Sequence, residues 1–357
     1  MKIFEEISQN GHEQVVFCHE QATGLRAVIA IHNTICGPAL GGCRMWPFES
    51  EEEALADAMR LSRAMTYKNA AAGLNLGGGK AVIIGDPNKD KSEALFRALG
   101  RFIQSLGGRY IAAEDVGTSV QDMEYIKMET DFVSGLPTQF GGSGDPSPFT
   151  ALGTFEGIRA SVKYHLKKDN LSGIRVAIQG VGHVGYYLSE LLHEAGADLI
   201  VTDIFEEKVD KIVTEFGAKA VKGEDIYSVD AEVFAPCALG AVVNDDTIKR
   251  MKFKIIAGGA NNQLLDEKVH GKKLKEKNIL YAPDYLINAG GVTNVFFEVI
   301  NEYNRERVTK KVKNIYNILM EVYRIADKEN ITTAEAAARL AEKRINLIKS
   351  VHQNYLR

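Results

Sequence analysis

The chain has 357 residues, 45% of them hydrophobic and 25% charged, with a formal net charge of −4. That length leaves room for two domains with substantial cores, and the composition is that of a globular rather than a disordered chain. The slightly acidic balance provides no overall electrostatic footprint for nucleic acid or an anionic membrane surface. No apolar run reaches the ~20 residues needed to cross a bilayer, and residues 1–6 do not read as a signal peptide, so a cytoplasmic location is expected. Cys18, Cys36, Cys43 and Cys237 lack C-x-x-C spacing, and the eight histidines form no H-E-x-x-H pair. Buried thiols and no metal site are expected.

Two β-rich runs at residues 14–18 and 25–31, separated by a turn-like stretch, read as a hairpin. Residues 37–45, Gly-Pro-Ala-Leu-Gly-Gly-Cys-Arg-Met, are too glycine-rich for an element interior and are expected to form a loop approaching a ligand. Ser50 and Glu53 form a capping box that opens a helix running toward Met65 and delivering Lys68 at its end. Gly77-Gly78-Gly79-Lys80 then precedes a strand at 81–84. A P-loop is excluded, because Leu74 and Ala81 stand where that pattern needs glycine and Ser or Thr. What remains is a lysine on a glycine-lined strand edge, where a partly desolvated ammonium loses proton affinity. Ser92 opens another helix, and a strand at 109–113 ends in Glu114-Asp115, an acid well placed for chemistry.

Residues 141–148, Gly-Gly-Ser-Gly-Asp-Pro-Ser-Pro, are the strongest punctuation in the chain, and the interdomain hinge is expected there. After a helix at 150–168, residues 174–203 read as a βαβ unit whose turn is G-x-G-x-x-G at 180–185. Gly180 permits the tight turn, Gly182 lets backbone approach a pyrophosphate, and Gly185 lets helix and strand pack closely. The pyrophosphate would sit on the helix N-terminus. Asp203 ends the second strand with no arginine after it, which favours NAD over NADP, since a carboxylate accepts hydrogen bonds from a ribose 2′-OH and repels a 2′-phosphate. Further strands near 218–221, 232–235, 254–257 and 279–281 continue the α/β alternation and imply a parallel doubly wound sheet. The last ~55 residues read as helical, with residues 326 onward assigned back to the first domain.

Nearly the whole chain resembles the amino-acid dehydrogenase family that includes the glutamate, leucine, phenylalanine and valine dehydrogenases. The resemblance is carried by Gly37-Pro38-Ala39-Leu40-Gly41-Gly42, the nine residues from Met65 to Gly73, Gly77-Gly78-Gly79-Lys80, Ala113-Glu114-Asp115-Val116-Gly117, Ala260-Asn261-Asn262-Gln263 and Tyr281-Ala282-Pro283-Asp284. It implies an α/β fold of two domains separated by a cleft: a substrate and oligomerisation domain (1–145 and 326–357) and a Rossmann-type NAD-binding domain (146–325). It implies reversible NAD-dependent oxidative deamination of a branched-chain L-amino acid, with Lys80 and Asp115 catalytic and Lys68 binding the substrate carboxylate. By the same resemblance Gly42, Met65, Leu40, Ala113, Asn262, Val292 and Val295 belong to the substrate site. Gly180, Val181, Gly182, His183, Val184, Gly185, Tyr186, Asp203, Cys237, Ala238, Ala260, Asn261 and Asn288 belong to the cofactor site.

The segment 292–298, Val-Thr-Asn-Val-Phe-Phe-Glu, departs from the leucine-type pattern, which usually has an aliphatic at 293 and Ala-Asp at 296–297. A phenylalanine-type or broad-specificity enzyme is therefore an alternative, and a non-catalytic NAD-binding sensor another. A 2-hydroxy-acid dehydrogenase would need a histidine base and an arginine clamp, for which the sequence offers no constellation. The resemblance implies a homo-oligomer, an octamer for a leucine-type member, and the hinge at 141–148 suggests closure of the cleft on substrate.

Overall fold

The computed structural model describes residues 3–353, with side chains through 351. The chain divides into two compact units. The first comprises Met1–Asp145, Val295–Tyr303 and Ala341–Arg357, and the second Pro146–Asn294 and Asn304–Leu340.

In the first unit, helix α1 (Ile3–Asn10) precedes the hairpin of β1 (Gln14–Glu20) and β2 (Leu25–Asn33), paired antiparallel as their alternation predicts. Strand β3 (Ala39–Trp46), helix α2 (Glu51–Ala71), β4 (Gly77–Ile84), helix α3 (Glu93–Ser105), β5 (Tyr110–Glu114) and helix α4 (Val120–Lys127) follow. The sheet order is β1-β2-β4-β3-β5, with β3 parallel to both β4 and β5. Ser50 caps α2, its hydroxyl accepting from Glu53 N–H, while the Glu53 carboxylate reaches back to Glu49 N–H. Helix α2 buries Ala54, Leu55, Ala58 and Met59 on Val28, Ala30 and Val82 at one sheet face. Helices α3 and α4 bury Leu95, Phe96, Leu99, Ile103, Met123 and Ile126 at the other.

Two sequence expectations change here. Residues 39–45 are not a loop but most of β3, and Gly77–Lys80 is not a strand edge but the first half of the buried β4. The reason is close packing. A Cβ on Gly41 would lie 1.7 Å from the Gly79 carbonyl oxygen, and one on Gly78 would lie 2.2 Å from the Thr66 backbone nitrogen on α2. These glycines permit backbone to approach backbone inside the sheet, a role that composition alone does not separate from a turn.

The second unit begins with α5 (Ser147–Ser161), extended by a single π-turn at Val162–Leu166. Then come β6 (Arg175–Gln179), α6 (His183–Glu194), β7 (Asp198–Thr202), α7 (Glu206–Phe216), β8 (Lys219–Ala220) and β9 (Val233–Pro236). Helix α8 (Asp245–Arg250), β10 (Ile255–Ile256), α9 (Glu267–Glu276), β11 (Leu280–Tyr281) and α10 (Asp284–Ile287) complete the alternation. The sheet is wholly parallel in the order β11-β10-β9-β6-β7-β8, the doubly wound arrangement whose order reverses between β6 and β9.

Helices α11 (Gly290–Val299), α12 (Arg305–Lys313), α13 (Ile315–Glu329) and α14 (Thr333–Gln353) end the described chain. The chain leaves the first unit after Asp145, inside the 141–148 stretch, but residues 326–340 lie in the second unit rather than the first. Helix α13 packs on α5, its Tyr323 hydroxyl bonded to Ser161 at 2.7 Å, and Thr333 donates to the Tyr281 carbonyl. A helical apolar stripe announces a buried face without saying against which sheet it is buried. Val295–Tyr303 is a further return to the first unit, fixed by Glu298, whose carboxylate accepts from the backbone N–H groups of Gly135 and Ser143 at 2.9 Å each.

Candidate active site

In the first unit, Lys80 and Asp115 meet. Strand β4 turns Gly78, Lys80 and Val82 to the α2 side, since alternate residues share a face; Val82 packs against α2 there. Lys80, 5% exposed, donates to Asp115 Oδ2 at 2.5 Å. Asp115 follows the end of β5, where its backbone N–H donates to Thr118 Oγ1, whose hydroxyl is in turn within reach of the Cys43 carbonyl. Gly42 makes room for it: a Cβ there would stand 2.6 Å from the Asp115 Cβ. Gly42 is also the register partner of Ala113.

Burial pushes the Lys80 ammonium below its ordinary value, against the pull of the Asp115 charge. Burial also pushes the Asp115 carboxyl up, but Lys80 and Arg44 together outweigh it and hold the group below the usual carboxylate range. The pair is thus an ionised carboxylate beside a lysine that releases its proton more readily than a solvated one. Such a pair can pass protons to and from a small polar molecule near neutral pH.

Leu40 on β3 is buried, while Met65 and Lys68 on α2, Ala113 on β5 and Val295 on α11 are half-buried, all in this unit. Val292 and Asn262, assigned by resemblance to the same substrate site, belong to the second unit. Phe296 and Phe297, which replace the expected Ala-Asp, are buried and pack edge to face with ring centroids 5.4 Å apart. Arg44 also belongs to this site, though its sequence position alone does not single it out. Its Nε bonds Asp115 Oδ2 at 3.0 Å and its Nη1 bonds Asp57 Oδ2 at 2.9 Å. The available signal was alternation from Gly42 to Arg44, visible only once residues 39–46 are taken as a strand.

In the second unit, the turn after β6 has the geometry of a pyrophosphate cradle. Gly180 has φ +93°, and Gly185 packs so closely on it that a Cβ would lie 2.1 Å from the Gly180 carbonyl oxygen. Gly182 caps α6 with no side-chain hydrogen bond, and a Cβ there would meet no atom within 4 Å, so the space in front of the helix N-terminus is open. Val181 N–H donates to Asp203 Oδ2 at 2.8 Å, tying the turn to the end of β7, and Phe205 N–H donates to Oδ1. A carboxylate has about four acceptor positions, so Asp203 retains capacity for ribose hydroxyls.

Ala238 stands against Gly180, while Val184 and Cys237 stand against Gly259. Ala260 N–H donates to the Pro236 carbonyl, and buried Asn288 donates to Asn261 Oδ1 at 2.7 Å. These residues gather around the carboxyl ends of β6, β9 and β10, the place where doubly wound sheets bind ligands. His183 opens α6. Tyr186 differs: its hydroxyl bonds Glu215 and its ring meets Phe216, so the side chain is engaged with α7.

A Rossmann-like turn in one unit and a lysine–aspartate pair, its lysine buried, in the other are features that a nucleotide-dependent dehydrogenase needs. Family models for the Glu/Leu/Phe/Val dehydrogenase dimerisation domain and for Glutamate/Leucine/Phenylalanine/Valine dehydrogenase match residues 12–132 and residues 141–204 with 201–352. The chain belongs to this amino-acid dehydrogenase family. It is 57% identical to a leucine dehydrogenase from Thermoactinomyces intermedius over 356 residues, covering 100% of this chain and 97% of that protein. It is 51% identical to a phenylalanine dehydrogenase from Lysinibacillus sphaericus, covering 96% of this chain and 90% of the other. Among solved structures it resembles an L-tryptophan dehydrogenase from Nostoc punctiforme, with a TM-score of 0.88, 46% identity and coverage of 97% and 99% of the two chains.

Proposed function

We propose that this enzyme oxidatively deaminates a branched-chain L-amino acid, leucine and also isoleucine or valine, to the 2-oxo acid and ammonium with reduction of NAD. The observation that carries this reading is the buried Lys80 paired with Asp115 in a chain of this family. NAD, when bound at the 180–185 turn and Asp203, supplies the acceptor for the substrate's Cα hydride. Asp203 supports NAD over NADP, because its charge repels a 2′-phosphate.

Lys68 holds the substrate carboxylate. Lys80, once deprotonated, takes a proton from water as it attacks the imine carbon, and Asp115 exchanges protons with the departing nitrogen. Leu40, Ala113, Val292 and Val295 offer aliphatic walls to a branched side chain, which is held by burial of apolar area. One methylene changes discrimination by only ~1–3 kcal/mol, so all three branched amino acids react. A second reading, preference for phenylalanine, is supported by the phenylalanine dehydrogenase relatives and by the departure at residues 296–297.

NADH formation from NAD and separate L-amino acids tests both. The highest kcat/KM is expected with the branched chains; a preference for phenylalanine would overturn the pocket assignment, and turnover of none would overturn the function. The dimerisation-domain match supports a homo-oligomer, for which we propose an octamer. Sedimentation at a lower subunit number would contradict that.

A further inference from the structure

We propose that Arg44 is a positioning residue of the reaction, holding the Asp115 carboxylate in place and setting when Lys80 releases its proton. The inference deepens the function proposed above and rests on it for the role of Lys80. Arg44 Nε and Lys80 Nζ bond the same oxygen, Asp115 Oδ2, at 3.0 and 2.5 Å. Arg44 is held from its other side, its Nη1 bonding Asp57 Oδ2 at 2.9 Å, while Asp57 Oδ1 accepts from Arg60 at 2.7 Å. Five charges of alternating sign therefore run from Lys80, with 6% of its side chain exposed, to Arg60, with 57% exposed.

The local sequence dictates this chain. Alternation on β3 gives Gly42 and Arg44 the same face, Gly42 leaves space for Asp115, and Asp57 lies two turns into α2. Lys80 comes from β4, Asp115 from the residue after β5, Arg44 from β3, and Asp57 and Arg60 from α2.

The chemistry follows from the guanidinium's permanence. Arginine does not lose its proton in proteins, so its charge is fixed throughout the reaction, whereas Lys80 and Asp115 both change theirs. The Arg44 charge favours ionised Asp115 and disfavours ammonium at Lys80. It does so beside groups that cannot replace it. Cys43 is buried, with its thiol pushed up to about 11, and Tyr110, which shares its hydrogen bond, is pushed well above its ordinary value. Glu114, next along β5, is raised by burial and by Asp122, with Lys91, Asp145 and Asp115 also facing it. Among these neighbours Arg44 is the fixed cation in direct contact with Asp115.

Removing the charge therefore moves proton release by Lys80 to higher pH. Arg44→Gln is expected to lose about tenfold in kcat/KM for leucine near pH 7 and to recover as pH rises. Arg44→Lys, which keeps the charge but not the two-sided fork, is expected to shift the profile in the same direction by less, and serves if the glutamine variant does not fold. A loss of equal factor at every pH in a folded variant would mean a structural role only and overturn the proposal, as would an unchanged profile. Carbamylation of Lys80 by cyanate, read by peptide mass spectrometry against exposed Lys249, gives the same titration without turnover. Its midpoint should rise in Arg44→Gln, and a midpoint that stays put overturns the inference. If the wild-type protein deaminates no amino acid, the functional reading falls while this titration still decides the placement of Arg44.

Discussion

In the sheet of the second unit, the glycines that matter follow the strand: Gly180 turns the chain out of β6 and Gly182 leaves open space above the α6 N-terminus. In the sheet of the first unit they lie inside the strands, where Gly41, Gly78 and Gly79 let backbone, helix and aromatic ring close on one another. The same residue type thus leaves open space beside one sheet and lets the protein close on itself in the other. The chemistry-bearing residues inherit the difference: Asp203 is reached through a turn, whereas Lys80 is fixed within a packed strand.

The largest expected effect comes from removing the reacting group. Lys80→Ala should lose at least ~10²-fold in kcat while retaining NAD affinity, because the residues proposed to hold the nucleotide belong to the other unit. Titration calorimetry with NAD alongside the absorbance assay checks this, and wild-type turnover would remove Lys80 from the mechanism.

Two alanine substitutions then separate the two uses of glycine. Gly78→Ala forces a Cβ against the Thr66 backbone and should cost about 3 kcal/mol in urea unfolding. Gly182→Ala meets no neighbour, so it should leave stability within about 0.5 kcal/mol yet weaken NAD binding about tenfold by filling the pyrophosphate approach. Equal stability losses in the two variants would erase the contrast.

The hairpin, the Ser50 and Ser92 caps and the 174–203 unit were legible in the sequence because each is specified by neighbours a few residues apart. Strand β3 and the start of β4 were not. Their glycines carry a turn-like composition, and only the approach of α2 and of each other makes them strands. Lys80 and Asp115, which the structure brings together, each stand in a motif, whereas Arg44 does not stand out, since its partners Asp57 and Asp115 lie 13 and 71 positions away. The destination of residues 326–340 was hidden for the same reason: α13 is chosen by its contact with α5, a long-range fact.

A smaller effect belongs to the first unit alone. His12 and His32 pack edge-on 4.8 Å apart beside Ser62 and Thr66. Burial, with His12 adding to it, pushes His32 down from 6.5 to about 4. Between those values the unfolded chain binds more protons than the folded one, so stability is held above pH 6.5 and declines as pH falls toward 4. Urea unfolding of wild type and His32→Asn at pH 7 and pH 5 should show a smaller decline in the variant. Parallel declines would place the sensitivity elsewhere.

The proposed roles of Lys80, Asp115 and the glycine turn all rest on NAD-dependent oxidative deamination. The most direct measurement is the stoichiometry of L-leucine oxidation, with NADH, ammonium and 2-oxo acid quantified in the same reaction. One of each is expected per turnover, with the reverse reaction absolutely dependent on ammonium. Oxidation of NADH by the 2-oxo acid without ammonium, or no NADH from any L-amino acid despite NAD binding, would contradict it.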